Sequence, residues 1–233
     1  MEVKLVARTL DVFEIFARLG RPLSLTELAR ELDAAPSSTL ALLRTLMSRG
    51  YLYEPSRRGA YYPTKKMHVA SARIDAADPV LDCFRPHLGA LRDACRETVV
   101  LGQRLAERVL YLDVLPSNQA IRYIAEPGDT RDLYRNSIGR ALYAALPEAR
   151  QLELNPDPDV REQSRLTRQR GWGENIGESV PDLAALAISI QAAGGMYGVS
   201  IAGPIGRMQD NWPAHVQALL QARSALQQAF ALL

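Results

Sequence analysis

Residues 6–64 read VARTLDVFEIFARLGRPLSLTELARELDAAPSSTLALLRTLMSRGYLYEPSRRGAYYPT. Val6, Leu10, Phe13 and Ala17 recur at helical spacing with Leu5, Phe16 and Leu19 beside them, and Gly20-Arg21-Pro22 stops that helix. Ser24, with Glu27 three residues on, is a capping box: each side chain accepts the other residue's backbone N–H. A second helix therefore starts there and runs through Leu28 and Leu32. Ala34-Ala35-Pro36 breaks it, and Ser37 opens a third helix that ends at Gly50. Three short helices with a tight second connection outline a helix-turn-helix.

The third helix carries the functional signal. Thr39, Leu42, Leu43 and Leu46 fall on one face and should pack inward. Ser37, Ala41, Arg44 and Ser48 gather opposite, flanked by Ser38 and Thr45, giving a small, polar, basic face that can press into a major groove. After Gly50, Tyr51-Leu52-Tyr53 and Ala60-Tyr61-Tyr62 flank a Pro- and Gly-containing turn, the pattern of a hairpin. A hairpin directly after a recognition helix is a wing, and Arg57 and Arg58 at its tip would meet the phosphate backbone or a minor groove. Charge agrees: residues 1–66 hold 11 Lys and Arg against 7 Asp and Glu, whereas the rest hold 17 against 19. Between Arg44 and Lys66 six bases face only Glu54, the footprint expected for phosphate binding.

These motifs together resemble the N-terminal domain of the IclR family of bacterial transcription regulators: GRPLSLTELAR, SST-x-x-LLRTL, RGYL, a basic turn and a YYPT end. The sequence departs from many members at Leu40 and Ala41, where a bulky aromatic and an arginine are common. The resemblance implies a winged helix-turn-helix over residues 1–66, a linker helix over 67–78 and a GAF-like effector-binding domain over 79–233, an α+β architecture overall. It implies a double-stranded DNA operator, a small organic effector such as an aromatic or short-chain acid of a catabolic pathway, and a homodimer or homotetramer.

Downstream, Thr64–Ala77 reads as a helix and Asp78-Pro79 interrupts it. Val80, Cys83, Phe84, Leu88, Leu91 and Cys95 continue at helical spacing, which fits a domain-linking helix or a core helix equally. From Glu97 the period shortens. Residues 98–101, 109–114 and 121–124 are strand candidates; Asn136–Leu146 and Arg161–Arg170 are helices; 183–190 and 197–201 are strands; a long helix closes the chain. Strand pairs without regular βαβ alternation indicate an α+β sandwich.

The Ser137-Ile138-Gly139 turn opens a helix, whose first N–H groups attract an anion or carboxylate. By resemblance, that turn borders the effector pocket, Asn175, Ala185, Ser200 and Ala202 line it, and Ile121 and Tyr123 face it from another strand. Members with an acid at the Asn175 position, and with Cys and Ser at the Ala185 and Ala202 positions, have more polar pockets than this one.

Catalysis finds no foothold. His68, His87 and His215 have no metal-ligand spacing, and no G-x-S-x-G elbow, P-loop or G-x-G-x-x-G occurs, so no catalytic residue, metal or cofactor is expected. No apolar run reaches membrane-spanning length, and the first 16 residues lack a cleavable signal pattern. Two cysteines, Cys83 and Cys95, give no disulfide framework and suit a reducing cytoplasm. The alternative to a DNA-binding regulator is a ligand-sensing interaction module without sequence-specific DNA binding.

Overall fold

The computed structural model describes residues 3–56, 59–155 and 157–231, which fall into two compact units, Met1–Asp78 and Pro79–Leu233. In the first, α1 (Lys4–Leu19) leads to β1 (Leu23–Ser24), α2 (Leu25–Glu31), α3 (Pro36–Ser48), the hairpin β2 (Leu52–Ser56) and β3 (Ala60–Pro63), and α4 (Lys66–Asp75). The capping box forms as expected: Ser24 Oγ accepts the Glu27 N–H at 3.3 Å, and the Glu27 carboxylate accepts the Ser24 N–H at 2.9 Å. The Ser24 N–H, aided by Arg21, holds the Glu27 carboxyl at a pKa of about 2. Pro36 sits in the first turn of α3, where it has no hydrogen bond to lose.

The inward face of α3 is the one its periodicity predicts, with Thr39, Leu42, Leu43 and Leu46 all buried. The three leucines meet Val12, Phe16, Leu28 and Leu52 in a single apolar cluster. The buried face of α1 is Val12, Ile15 and Phe16, whereas Leu5, Val6 and Leu10 stay more than half exposed. The small sheet has the order β1-β3-β2, with Leu23 opposite Tyr61. Two-residue β1 is too short to show any sequence period.

The second unit comprises α5 (Pro79–Cys95), β4 (Thr98–Leu105), β5 (Arg108–Leu115), β6 (Thr130–Asp132), α6 (Ser137–Ala144), α7 (Glu148–Leu154), α8 (Pro158–Arg170), β7 (Gly173–Ile176), β8 (Leu183–Ala192), β9 (Gly195–Pro204), α9 (Ile205–Asp210) and α10 (Trp212–Ala231). Its six-stranded antiparallel sheet runs β6-β5-β4-β9-β8-β7. Alternation along each strand gives the sheet two unlike faces. Val99, Leu101, Leu186, Ile188, Val199 and Ile201 pack against Phe84 and Leu88 of α5 and Leu219 of α10. The other face carries Val100, Ala185, Ala187 and Ala202, and α6 lies on it through Ile138 and Leu142. Helix α5 is thus a core helix of this unit.

One expected strand is absent. Residues 121–124 form an irregular segment, and the strand at that edge is Thr130–Asp132, paired with β5. The carbonyl of Ile121 accepts from Arg207 and that of Tyr123 from Thr98 Oγ1, so side chains satisfy this backbone instead of a neighbouring strand. Nothing in the sequence announces helix α7 or strand β7; both are short, and neither shows a clean apolar period.

Helix α6 approaches its surroundings closely enough to require glycine three times, the Ser137 carbonyl leaving no room for a Cβ on Gly173. A Cβ on Gly139 would land on the Leu133 carbonyl, and one on Gly198 of β9 would land on the Ile138 side chain. Alanine is the better helix former by up to about 1 kcal/mol, but forcing an atom into packed backbone costs about 1–3 kcal/mol. Gly139→Ala should therefore lower the urea midpoint of unfolding; a variant as stable as the parent would show that the Leu133 carbonyl can yield without cost.

Candidate DNA interface and ligand site

Ser37, Ser38, Ala41, Arg44, Thr45 and Ser48 are all exposed along the outer side of α3, opposite its buried leucines. The hydroxyls there donate into their own helix: Ser38 to the Ala35 carbonyl, Thr45 to Ala41 and Ser48 to Thr45, each at 2.9 Å. Their protons are thereby occupied, which keeps the side chains close to the helix and the surface low. Arg44 is the only cation among these six residues. Lys66, counted with the basic cluster, is engaged locally. Its Nζ donates to the Arg49 carbonyl at 2.6 Å, just past the end of α3, and lies 4.8 Å from the Tyr51 ring centre. Arg57 and Arg58 lie outside the described residues.

In the second unit the sheet register brings most of the expected lining residues together. Asn175 stands opposite Ala185, Ala185 opposite Ala202, and Ala202 opposite Thr98; Ser200 lies between Ala187 and Val100. These residues form two adjacent buried rows on one face, the first running across β7, β8, β9 and β4. Ser137, Ile138 and Gly139 begin α6 above the same face and are likewise buried. Ile121 does not join them. It is 74% exposed on the irregular segment, while Tyr123, two residues on, is buried in the cluster.

The start of α6 is less open to an anion than its sequence suggests. Asn136 Oδ1 accepts the N–H of Ile138 at 2.9 Å and of Gly139 at 3.3 Å. The Asn136 amide donates in turn to the Tyr111 hydroxyl at 3.1 Å. Beside it the Arg131 guanidinium lies 5.3 Å from the Tyr111 ring centre and donates to the Tyr123 hydroxyl at 3.3 Å. Burial, followed by the neighbouring Tyr123, pushes the Tyr111 phenol well above its ordinary range, so it stays neutral. Asn175 spans two loops, donating to the Arg135 carbonyl and accepting from Ser179 Oγ at 3.4 Å. Sequence reasoning missed Asn136, Tyr111 and Arg131. Tyr111 could have been found from its alternate position in VLYLDV, but Arg131 sits on a strand that no pattern announces.

Comparison with known proteins assigns both units. Residues 5–56 match the IclR helix-turn-helix domain, and residues 75–228 match the bacterial transcriptional regulator IclR C-terminal domain. The chain belongs to the IclR family. The regulator BhcR of Paracoccus denitrificans is 30% identical over 227 residues, spanning 89% of this chain and 80% of that one. KdgR of Dickeya chrysanthemi is 24% identical, spanning 92% and 76%. The Thermotoga maritima IclR structure superposes with a TM-score of 0.79 at 18% identity, covering 97% of this chain and 98% of that one. An IclR homolog from Microbacterium hydrocarbonoxydans, complexed with 4-hydroxybenzoate, gives 0.78 at 19% identity, covering 98% and 100%. This IclR-family chain is accordingly a DNA-binding transcriptional regulator with an effector-binding C-terminal domain of α+β fold.

Asn136 joins the α6 cap to the aromatic network, so truncating it leaves two helix N–H groups and the Tyr111 hydroxyl without their partner. Asn136→Ala should cost about 1–2 kcal/mol in chemical unfolding, as loss of a cap does. Tyr111→Phe leaves the cap on α6 in place and should cost less, about 1 kcal/mol. The reverse order would mean that the cap is not what Asn136 contributes.

Proposed function

We propose that the outer face of α3 enters the major groove of an operator and that the small-side-chain face under α6 holds a small organic acid. The observation that carries the DNA reading is the continuous exposed row from Ser37 to Ser48, free of acidic side chains and bearing Arg44. In the ligand reading, the alanine row of β8 and β9 forms an apolar floor, and Arg131 exchanges its 3.0 Å ion pair with Asp129 for the ligand carboxylate at the edge, beside the Tyr123 hydroxyl. The complex of the Microbacterium homolog with 4-hydroxybenzoate supports an aromatic acid as one such ligand. The expected setting is a cytoplasmic switch for a catabolic operon. Protomers pair partly through the exposed Leu5, Val6 and Leu10 of α1, as a dimer or a dimer of dimers. The relatives, which are regulators, support regulation rather than catalysis.

Binding to duplex DNA should be steeply salt-dependent. With about six phosphate contacts, affinity falls roughly a thousandfold between about 50 and 200 mM salt. Arg44→Ala should cost on the order of 1–3 kcal/mol at the preferred sequence if Arg44 reads a guanine edge. Fluorescence anisotropy measures both; a curve flat in salt would favour the interaction-module alternative.

Ala185→Phe places a ring on the proposed floor. It should abolish the response of DNA binding to 4-hydroxybenzoate and short-chain acids while leaving ligand-free DNA affinity nearly unchanged. A typical effector coupling is about 1–3 kcal/mol, so the lost response is measurable. A variant that responds like the parent places the effector elsewhere.

A further inference from the structure

The second unit contains a cavity of about 370 Å³ on the flank of α6 that faces α8, and none of the floor residues described above lines it. Its volume is at the small end of ligand pockets, which run from about 300 to 1,000 Å³. Leu133, Tyr134, Tyr143 and Val160 supply an apolar wall, in which the rings of Tyr134 and Tyr143 meet edge-on with centroids 5.4 Å apart.

Most polar groups at this cavity are already committed to the protein. Arg140 donates to the Tyr134 carbonyl at 2.9 Å, to the Glu174 carbonyl at 2.7 Å and, through both terminal nitrogens, to Glu178. Tyr143 donates to the Gln151 carbonyl, Tyr134 to that of Leu154, and Ser164 to the Gln151 side chain. Two charged lining residues remain, Arg135 and Asp159, both on the exposed side of the cavity. Among the described residues neither side chain has a hydrogen bond or ion pair, although Asn175 pins the Arg135 carbonyl and so fixes its backbone.

Arg140 and Glu178 cancel, leaving one free positive and one free negative group beside an apolar wall. A simple anion would be opposed by Asp159 and a simple cation by Arg135, whereas a zwitterion satisfies both. We propose that this cavity binds a free α-amino acid with an apolar side chain. Its carboxylate is received by Arg135, its ammonium by Asp159, and its side chain rests on Tyr134, Tyr143 and Val160. Because Tyr143 and Arg140 belong to α6, the bound amino acid bears on the helix that covers the floor. If the effector reading above holds, it therefore shifts the response to the organic acid, and the organic acid shifts amino-acid affinity by the same factor.

Isothermal titration of the full chain with L-leucine and L-phenylalanine should show saturable binding at millimolar concentration or below. Leucinamide, which lacks the carboxylate, and 4-methyl-2-oxopentanoate, which lacks the ammonium, should each bind about tenfold more weakly, the loss of one charge-assisted contact. Arg135→Gln and Asp159→Asn should weaken leucine comparably, with thermal unfolding confirming that both variants fold. The titration reads leucine binding directly, so it stands even if no acid ever changes DNA binding. No binding of either amino acid, equal binding of leucine and its keto acid, or indifference to both variants overturns the proposal.

Discussion

The close seating of α6 on the sheet governs the chemistry of the C-terminal unit. It is possible because the covered face is built from small residues: Ala185 and Ala187 of β8 and Gly198, Ser200 and Ala202 of β9. The opposite face of the same strands carries Leu186, Ile188, Val199 and Ile201 and fills an ordinary core. One sheet thus serves two purposes through its period of two. Large side chains on one side supply most of the apolar burial, and small ones on the other let a helix approach. A substitution enlarging the small face would therefore displace α6 before it damaged the core.

In the N-terminal unit the organising constraint is the exclusion of large apolar side chains from one side of α3. The buried leucines fix the rotation of the helix, and the exposed residues opposite them, Ser37, Ser38, Ala41, Arg44, Thr45 and Ser48, are short or cationic. The chain also separates structural from available charge. Lys66 is held at the end of α3 over Tyr51, and Glu27 is held by the Ser24 cap beside Arg21. These charges cannot be counted freely toward an electrostatic surface, and Arg44, on the exposed row itself, weighs more than the residue count suggests.

Much of this was legible because local rules suffice for it. The capping box, the α3 face, the hairpin and the paired strands β8 and β9 each follow from spacing within a dozen residues. The segment at 121–124 misled for a non-local reason: Ile-Arg-Tyr-Ile has strand composition, but its carbonyls are taken by Thr98 and by Arg207, 86 residues from Ile121. Helix α7 and strand β7 are too short for a period to emerge. The proximity of Asn175, Ala185 and Ala202, on which the proposed ligand floor rests, was expected only by resemblance, since nothing local makes them neighbours; the antiparallel register does that. For Ile121 the resemblance named a position that the structure leaves in solvent, away from the floor. The Asn136–Tyr111 bond that ties Arg131 and Tyr123 into one network joins residues 25 apart in the chain, and no single segment encodes it.

The composition of that network bears on what the floor can distinguish. Asn175 has both ends of its amide engaged, and the Thr98 hydroxyl donates to the Tyr123 carbonyl while accepting the Ser117 N–H. A ligand on this floor would thus meet mainly methyl groups and the Ser200 hydroxyl, with the Arg131–Tyr123 pair at the rim. Shape alone separates ligands differing by a methylene by only about 1–3 kcal/mol. A misplaced polar group on a dry floor costs about as much again, because it loses water and gains no partner. Selectivity at such a site would come less from added attraction than from rejecting any ligand whose polar atoms fall away from the rim.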